Sequence, residues 1–183
     1  MTEAVWTAKI LNISASLADR KAMGDELLKS PEGVTHCLHF IFESSDNELV
    51  TKSAYALDQA IRSNLNIIKP HKILFFKALR KNESDTVKRI FAKTLELISF
   101  AYLKNTFPLH KSELELMIST CFDWLIKDEK VAVKAFAMQC LYNLKETQAW
   151  VEDELKAQLN SQFQNASPAF QSRAGHILKK LKN

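Results

Sequence analysis

The sequence predicts an all-α fold built from stacked helix pairs. Two observations support this prediction: glycine is nearly absent, and one pattern of apolar residues occurs four times along the chain. The 183 residues include three glycines, Gly24, Gly33 and Gly175, and four prolines. Because tight hairpins and phosphate-binding loops usually need glycine at positive φ, a chain this poor in glycine is expected to be helical.

Composition places the chain among globular proteins. Hydrophobic residues make up 46% and charged residues 25%, and the length suits one domain over residues 1–183. No apolar run is long enough to cross a bilayer, and residues 1–11 lack the basic and apolar parts of a secretory signal. The three cysteines lie in apolar helical segments, a context that suits buried reduced thiols better than disulfides. We therefore expect a cytoplasmic protein with no membrane partner.

Capping signals mark where the helices begin. Ser30-Pro31 and Ser167-Pro168 each place a hydroxyl before a proline that suits the first helical turn. Ser45 with Glu48, and Ser112 with Glu115, match the capping-box spacing. With the apolar periodicity, these signals predict helices over residues 3–12, 16–29, 31–43, 46–62, 71–81, 85–104, 112–126, 130–145, 148–163 and 168–181.

Four of these helices share one apolar stripe, which we call the anchor stripe. It begins at Val50, Val87, Val133 and Phe170 and continues four, eight and eleven residues further along each helix. These offsets follow one side of a helix with 3.6 residues per turn. Fifteen of the sixteen positions are apolar; Asp58 is the exception, and Leu57 is expected to take over its packing.

The spacing of the anchors indicates the repeat class. Successive anchors lie 37, 46 and 37 residues apart, and each anchored helix follows a partner helix. Two-helix repeats of this length are typical of HEAT and armadillo proteins, so we predict an α–α superhelix of that type. The predicted units are residues 31–62, 71–104, 112–145 and 148–181, and residues 1–30 form a divergent cap.

Two segments resemble a known family. Residues 121–144, CFDWLIKDEKVAVKAFAMQCLYNL, and residues 163–181, FQNASPAFQSRAGHILKKL, resemble small helical proteins from Bacteroidota that often carry the label adenylosuccinate lyase. The fumarase/aspartase-type lyases, which include adenylosuccinate lyase, have a mobile loop with a catalytic serine, several glycines and a Lys-x-Asn sequence. Serine-rich stretches such as Ser14–Ser16 lack those glycines and the Lys-x-Asn. The resemblance therefore implies the fold, and we interpret the lyase label as mistaken.

Candidate catalytic and metal-binding residues have simpler structural interpretations. His36 and His39 are three residues apart on one helix, within reach of one metal ion, but no second ligand pair has a useful spacing. Cys121 and Cys140 are expected to lie near each other, yet no motif supplies a base. We predict no metal site, no cofactor and no enzymatic activity.

Acidic and aromatic residues in the third and fourth units also have structural interpretations. Asp128 and Glu129 are expected to begin the next helix, where negative charge complements the helix dipole. Trp124 and Trp150 are expected to be buried between the last two units, because large aromatic side chains dominate core burial.

Charge distribution gives the main functional hint. Residues 62–93 hold nine Lys or Arg against two Asp or Glu, and a second basic cluster ends the chain at Arg173, His176, Lys179, Lys180 and Lys182. Second helices of stacked pairs usually line the concave face. The candidate binding residues on those helices are Lys52, Lys88, Arg89, Lys93, Lys134 and Arg173.

Two binding functions compete on this basis, and an enzyme of the adenylosuccinate lyase type is a less favoured third alternative. The first is an interaction module that binds a protein or peptide. The second is a nucleic-acid-binding protein, because a positive stripe attracts phosphates as well as acidic protein segments. In either case we expect a monomer or a weak dimer.

Overall fold

Every regular element in the part of the chain that the structure describes is a helix. The structure is a computed structural model that describes residues 2–81 and 84–181. The helices are α1 (Glu3–Leu11), α2 (Leu17–Leu28), α3 (Pro31–Glu43), α4 (Asn47–Ser63), a 3₁₀ helix (Leu65–His71), α5 (Lys72–Lys81), α6 (Asp85–Leu103), α7 (Lys111–Ile126), α8 (Val131–Leu144), α9 (Val151–Phe163) and α10 (Pro168–Leu181). The predicted all-α class is confirmed. Within these residues, no helix combines the length and apolarity that spanning a bilayer requires. Lys182 of the C-terminal basic cluster lies outside the described residues.

The helix starts agree with the proline signals and differ at the two capping boxes. Ser30 Oγ accepts a hydrogen bond from the Gly33 N–H at 3.2 Å, as predicted. The α4 cap is Asp46 instead of Ser45, because its carboxylate accepts the N–H groups of two residues in the first turn. At α7, the cap is His110, two residues before the predicted Ser112, and the Glu113 carboxylate accepts the His110 N–H at 2.8 Å.

Two connecting segments also differ from the prediction. Pro70 was expected in a break between helices but lies inside the 3₁₀ helix Leu65–His71. α9 begins at Val151, three residues later than predicted. Neither shift moves the apolar side chains of the flanking helices out of the core, where Ile68, Val151 and Leu155 are fully buried.

The anchor stripe is buried almost throughout. Fifteen of its sixteen side chains are no more than 6% exposed. Leu178 is half-buried, and its neighbour Ile177 is fully buried in its place. Burying one such aliphatic side chain contributes about 1.5–3 kcal/mol, so the stripe is a main source of cohesion within each helix pair.

Asp58 is tolerated in the stripe because it is paired. Its side chain accepts hydrogen bonds from Arg62 Nε at 2.8 Å and from Gln59 Nε2 at 3.2 Å. The Arg62 bond joins positions i and i+4 of the same helix, so it requires no partner from another element. Leu57 is 1% exposed and takes the apolar place, as predicted.

The chain divides into two compact units, one ending at Phe91 and one beginning at Ala92, so the division falls within α6. In the N-terminal unit, α4 packs against α1, α2 and α3, and α3 packs against α5. In the C-terminal unit, α8 packs against α7, α9 and α10, and α9 packs against α10. The single domain predicted over residues 1–183 stays a prediction.

The predicted aromatic anchors differ in burial. Trp124 is 6% exposed, whereas Trp150 is 50% exposed, so the burial expected of Trp150 is wrong. The Trp150 ring instead stacks on Phe122 with ring centroids 5.4 Å apart. One side of Trp150 thus packs on α7 while the other faces solvent.

Two glycines in the N-terminal unit lie where helices approach closely. A Cβ built on Gly24 of α2 would lie 2.7 Å from the Gln59 Cβ and 3.0 Å from the Ala60 backbone nitrogen on α4. A Cβ on Gly33 would lie 2.5 Å from Cη2 of the buried Trp6. Both positions therefore need glycine for packing, with no requirement for positive φ.

Gly24→Ala is expected to destabilise the protein by about 1–3 kcal/mol, because α2 must move away from the α4 backbone. Gly175→Ala is the matched control, since its nearest neighbour would be Phe163 at 3.6 Å and Gly175 lies inside α10. Alanine there is expected to add about 0.5–1 kcal/mol through helix propensity. Urea unfolding followed by circular dichroism measures both, and equal effects of the two substitutions would contradict the packing explanation.

Candidate functional site

Charge is segregated between the first and second helices of the C-terminal unit. The first helices, α7 and α9, hold six acids, Glu113, Glu115, Asp123, Glu152, Asp153 and Glu154, against Lys111 and Lys156. The second helices, α8 and α10, contain no acid. Their basic residues are Lys134, Arg173, Lys179 and Lys180. One side of each pair is therefore acidic and the other basic.

One acid of this side, Glu152, has a lowered pKa. Hydrogen bonds from Lys145 and Lys156 to the Glu152 carboxylate, at 2.8 and 2.6 Å, lower its pKa to about 2. The Lys145 bond, the larger cause, also raises the pKa of Lys145. These pairs neutralise part of the acidic side, whereas α8 and α10 have no carboxylate of their own to neutralise their cations.

Three cations from flanking helices contact α8 along its length, and we call them the cation row. Two of them lie over aromatic rings and the third donates a hydrogen bond to an amide oxygen. The contacts are Lys93 Nζ at 5.0 Å from the Phe136 ring centroid, Arg173 Nη1 at 3.3 Å from Gln139 Oε1, and Lys180 Nζ at 5.7 Å from the Tyr142 ring centroid. Lys93 also pairs with Glu96 of α6 at 2.6 Å.

A chain of hydrogen bonds, which we call the amide relay, crosses the same face. Arg173 donates to Gln139, and Gln139 Nε2 donates to Asn143 Oδ1 at 2.9 Å. Asn143 Nδ2 then donates to Ser99 Oγ at 2.9 Å, and Ser99 donates to the Glu96 backbone carbonyl at 2.8 Å. Ser99 is fully buried, whereas both amides are partly exposed. The relay fixes two surface amides from a buried end point.

An open groove of about 840 Å³ adjoins the cation row. Its lining comprises Ala135, Phe163, Ala169, Gln171, Ser172, Arg173, Gly175, His176 and Lys179. No carboxylate belongs to this lining, and Arg173 belongs both to the groove and to the cation row. The groove therefore extends the positive surface beyond α8.

The predicted binding residues divide between the two units. In the N-terminal unit, Lys52 pairs with Glu48 at 2.8 Å and donates to the Leu11 carbonyl, so α1 and its own helix hold it. Lys88 and Arg89 are half-buried on α6. In the C-terminal unit, Lys93 and Arg173 both lie in the cation row. Whether any of them binds a partner stays a prediction.

Lys134 lies on a different side of α8 from the cation row. Its Nζ donates to Gln162 Oε1 of α9 at 3.3 Å, and both residues line a cleft of about 440 Å³. Asp128 and Glu129 line the same cleft. They lie directly before Lys130, the N-cap residue of α8, and the first turn of α8 itself has no acid.

The cysteines are buried and poorly suited to nucleophilic chemistry. Cys37, Cys121 and Cys140 are each fully buried. Burial raises the pKa of the Cys37 thiol, and burial together with a hydrogen bond to Cys140 raises the pKa of Cys121. The predicted proximity of Cys121 and Cys140 is confirmed by that bond. A thiol held neutral in this way is a weak nucleophile.

The histidines of α3 make contacts other than metal ligation. The His36 ring stacks on Trp6 and on Phe40, with centroids 6.5 and 6.0 Å apart. His39 Nδ1 lies 3.6 Å from a Glu43 carboxylate oxygen. Across residues 2–81 and 84–181, no group of three or more His, Cys, Asp or Glu side chains is placed to hold a metal ion.

Sequence reasoning missed most of the α8 face. Ala132, Phe136, Gln139 and Asn143 form a second stripe at offsets 0, 4, 7 and 11, beside the anchor stripe. That spacing is visible in the sequence, but the approach of Lys93 and Lys180 to α8 is a tertiary contact. The sequence identifies the basic residues by their charge, whereas no local signal marks the uncharged Phe136, Gln139 and Asn143 as part of a site.

Comparison with known proteins shows a family match. Residues 7–181 match the family model described as HEAT repeat domain. No curated protein matches the chain. No solved structure matches it either. The match covers all the predicted repeat units.

All three thiols are expected to be unreactive toward a disulfide reagent in the native protein, because each is fully buried. In denaturant, three equivalents of thiol are expected to react. Labelling followed by absorbance and mass spectrometry measures this. Fast reaction of any native thiol would contradict the burial and reopen cysteine catalysis.

Proposed function

Because the chain belongs to the HEAT repeat domain family, we propose that it is a non-catalytic interaction module that binds an acidic segment of a partner protein. The observation that carries the proposal is the charge segregation of the C-terminal unit. The cation row and the acid-free helices α8 and α10 form a positive surface, and α7 and α9 carry the acids. Membership in the family supports a scaffold role in general, and the positive surface indicates that the partner segment is acidic.

The binding surface in this proposal is the α8 face with the cation row. Its cations rest on aromatic rings and on an amide, which orders them before any partner arrives. Ordered side chains lose less conformational entropy on binding than freely rotating lysines do. Carboxylates of a partner would add charge-assisted hydrogen bonds to groups already in position.

Nucleic-acid binding is the competing proposal. The same cations attract phosphates as well as carboxylates. A long polyanion would also meet the acids of α7 and α9, however, whereas a short peptide can be confined to one face. This difference favours the protein partner.

Reversal of one exposed cation tests the surface. Lys180→Glu is expected to weaken binding of a fluorescent acidic peptide by about tenfold at low salt, because attraction becomes repulsion. Lys111→Glu makes the same charge change on α7, where Lys111 is 88% exposed and pairs weakly with Glu115 at 3.9 Å, and is expected to bind nearly as the parent does. Fluorescence anisotropy over a salt series measures both variants.

Two results would contradict this proposal. Equal losses in Lys180→Glu and Lys111→Glu would show a response to net charge without a defined surface. Binding of single-stranded or duplex DNA with a steep salt dependence, but no binding of the peptide, would favour the nucleic-acid alternative.

Adenylosuccinate cleavage tests the enzymatic alternative. The lyase loop is missing from the sequence, and the thiols are buried, so we expect no absorbance change when the protein is incubated with adenylosuccinate. Turnover proportional to protein concentration would contradict a non-catalytic role.

A further inference from the structure

We propose that the α8 face binds the main chain of its partner in an extended conformation, with Gln139 and Asn143 reading peptide groups. This inference rests on the function proposed above and adds what the cation row alone does not specify. Carboxylates would be held by the cations, and the backbone would be held by the two amides.

The two amides have hydrogen-bonding capacity left over. A primary amide has two N–H donors and two acceptor lone pairs. In the relay, Gln139 accepts once and donates once, and Asn143 does the same. Neither has a further partner among the described residues, so each keeps one N–H and one lone pair. One donor beside one acceptor is the complement of a peptide's C=O and N–H.

The spacing of the amides suits an extended chain. Gln139 and Asn143 are four residues apart on α8, a rise of about 6 Å. In an extended strand, residues two apart are about 6.6–6.8 Å apart, and their N–H and C=O groups point to the same side. Two peptide groups of one strand can therefore face both amides after a small adjustment.

The relay also fixes how the amides point. Asn143 is tied to the fully buried Ser99, and Gln139 is held between Asn143 and Arg173. A freely rotating amide would need ordering on binding, which costs affinity. Ser99 is in this sense a positioning residue, since it orients Asn143 from beneath the surface.

The proposal also separates a peptide from other polyanions. Phosphodiester chains and anionic lipid surfaces supply charge for Lys93, Arg173 and Lys180, but they have no regularly spaced N–H and C=O pairs. A ligand that uses both sets of contacts must be a polypeptide with acidic side chains. Aromatic side chains beneath two of the cations add apolar contact area for its aliphatic residues.

The experiment compares three fluorescent peptides on the full chain. The parent alternates glutamate and valine over ten residues, with both ends blocked. One analogue is N-methylated at the glutamates and the other at the valines, so that charge and side chains are unchanged. Since adjacent N–H groups of an extended strand point in opposite directions, one analogue is expected to lose about tenfold or more in affinity and the other about twofold at most.

Two leucine variants connect the effect to the relay. Asn143→Leu is expected to weaken the parent peptide about tenfold and to remove the difference between the analogues. Gln158→Leu is the matched control, because Gln158 is a half-exposed amide on α9 that bonds Glu154, and it is expected to change neither. Ser99→Ala is expected to reduce the difference while retaining the cation row. Thermal melts of each variant establish that the fold is kept.

The outcomes distinguish this inference from the function on which it rests. Tight binding of the parent with equal affinity for both analogues would overturn backbone recognition and leave acidic-segment binding standing. Equal loss in both analogues would overturn it as well, since only one of the two alternating sets of N–H groups in an extended strand can face the amides. No binding of the parent at low salt would overturn the proposed function and the inference with it.

Discussion

Each second helix carries one apolar stripe, and a single helix pair leaves part of its apolar surface uncovered. Stacking of pairs removes that surface from water, at about 25 cal/mol per Å² of apolar area. The buried stripe fixes which side of α8 faces the core, through Val133, Ala137, Leu141 and Leu144. Phe136, Gln139 and Asn143 therefore lie on another side of α8 and remain at the surface. The candidate site is thus a consequence of how the core is filled.

Close packing sets a second condition, which acts on small residues. Gly24 allows α2 to approach the α4 backbone, and Gly33 makes room for the ring of Trp6. Neither glycine lies in a turn, so these two of the chain's three glycines are used for close helix packing. Asp58 shows how an error in the stripe is accommodated, since Arg62 supplies its counter-charge from the next turn.

The proposed function depends on surface charge that the core leaves free to vary. Apolar stripes determine orientation, whereas the acids of α7 and α9 and the cations of α8 and α10 lie on sides that packing does not constrain. The amide relay connects the surface with the interior, because it runs from the half-buried Arg173 to the fully buried Ser99. A polar group at that depth is tolerable because Ser99 has both a donor and an acceptor partner.

The sequence by itself determined the helical class, the four anchors and the HEAT-type repeat, because apolar periodicity and the lack of glycine are local properties that each helix displays alone. It also identified Lys93 and Arg173 by their charge. It misplaced the caps at Ser45 and Ser112 because nearby polar residues compete for the same N–H groups, and it overestimated the burial of Trp150. Only the tertiary structure decided that Lys93 and Lys180 meet α8 at Phe136 and Tyr142, and that Gln139, Asn143 and Ser99 join in one relay. Those contacts link residues from three helices, and their distances depend on how the helices pack, which no local pattern encodes.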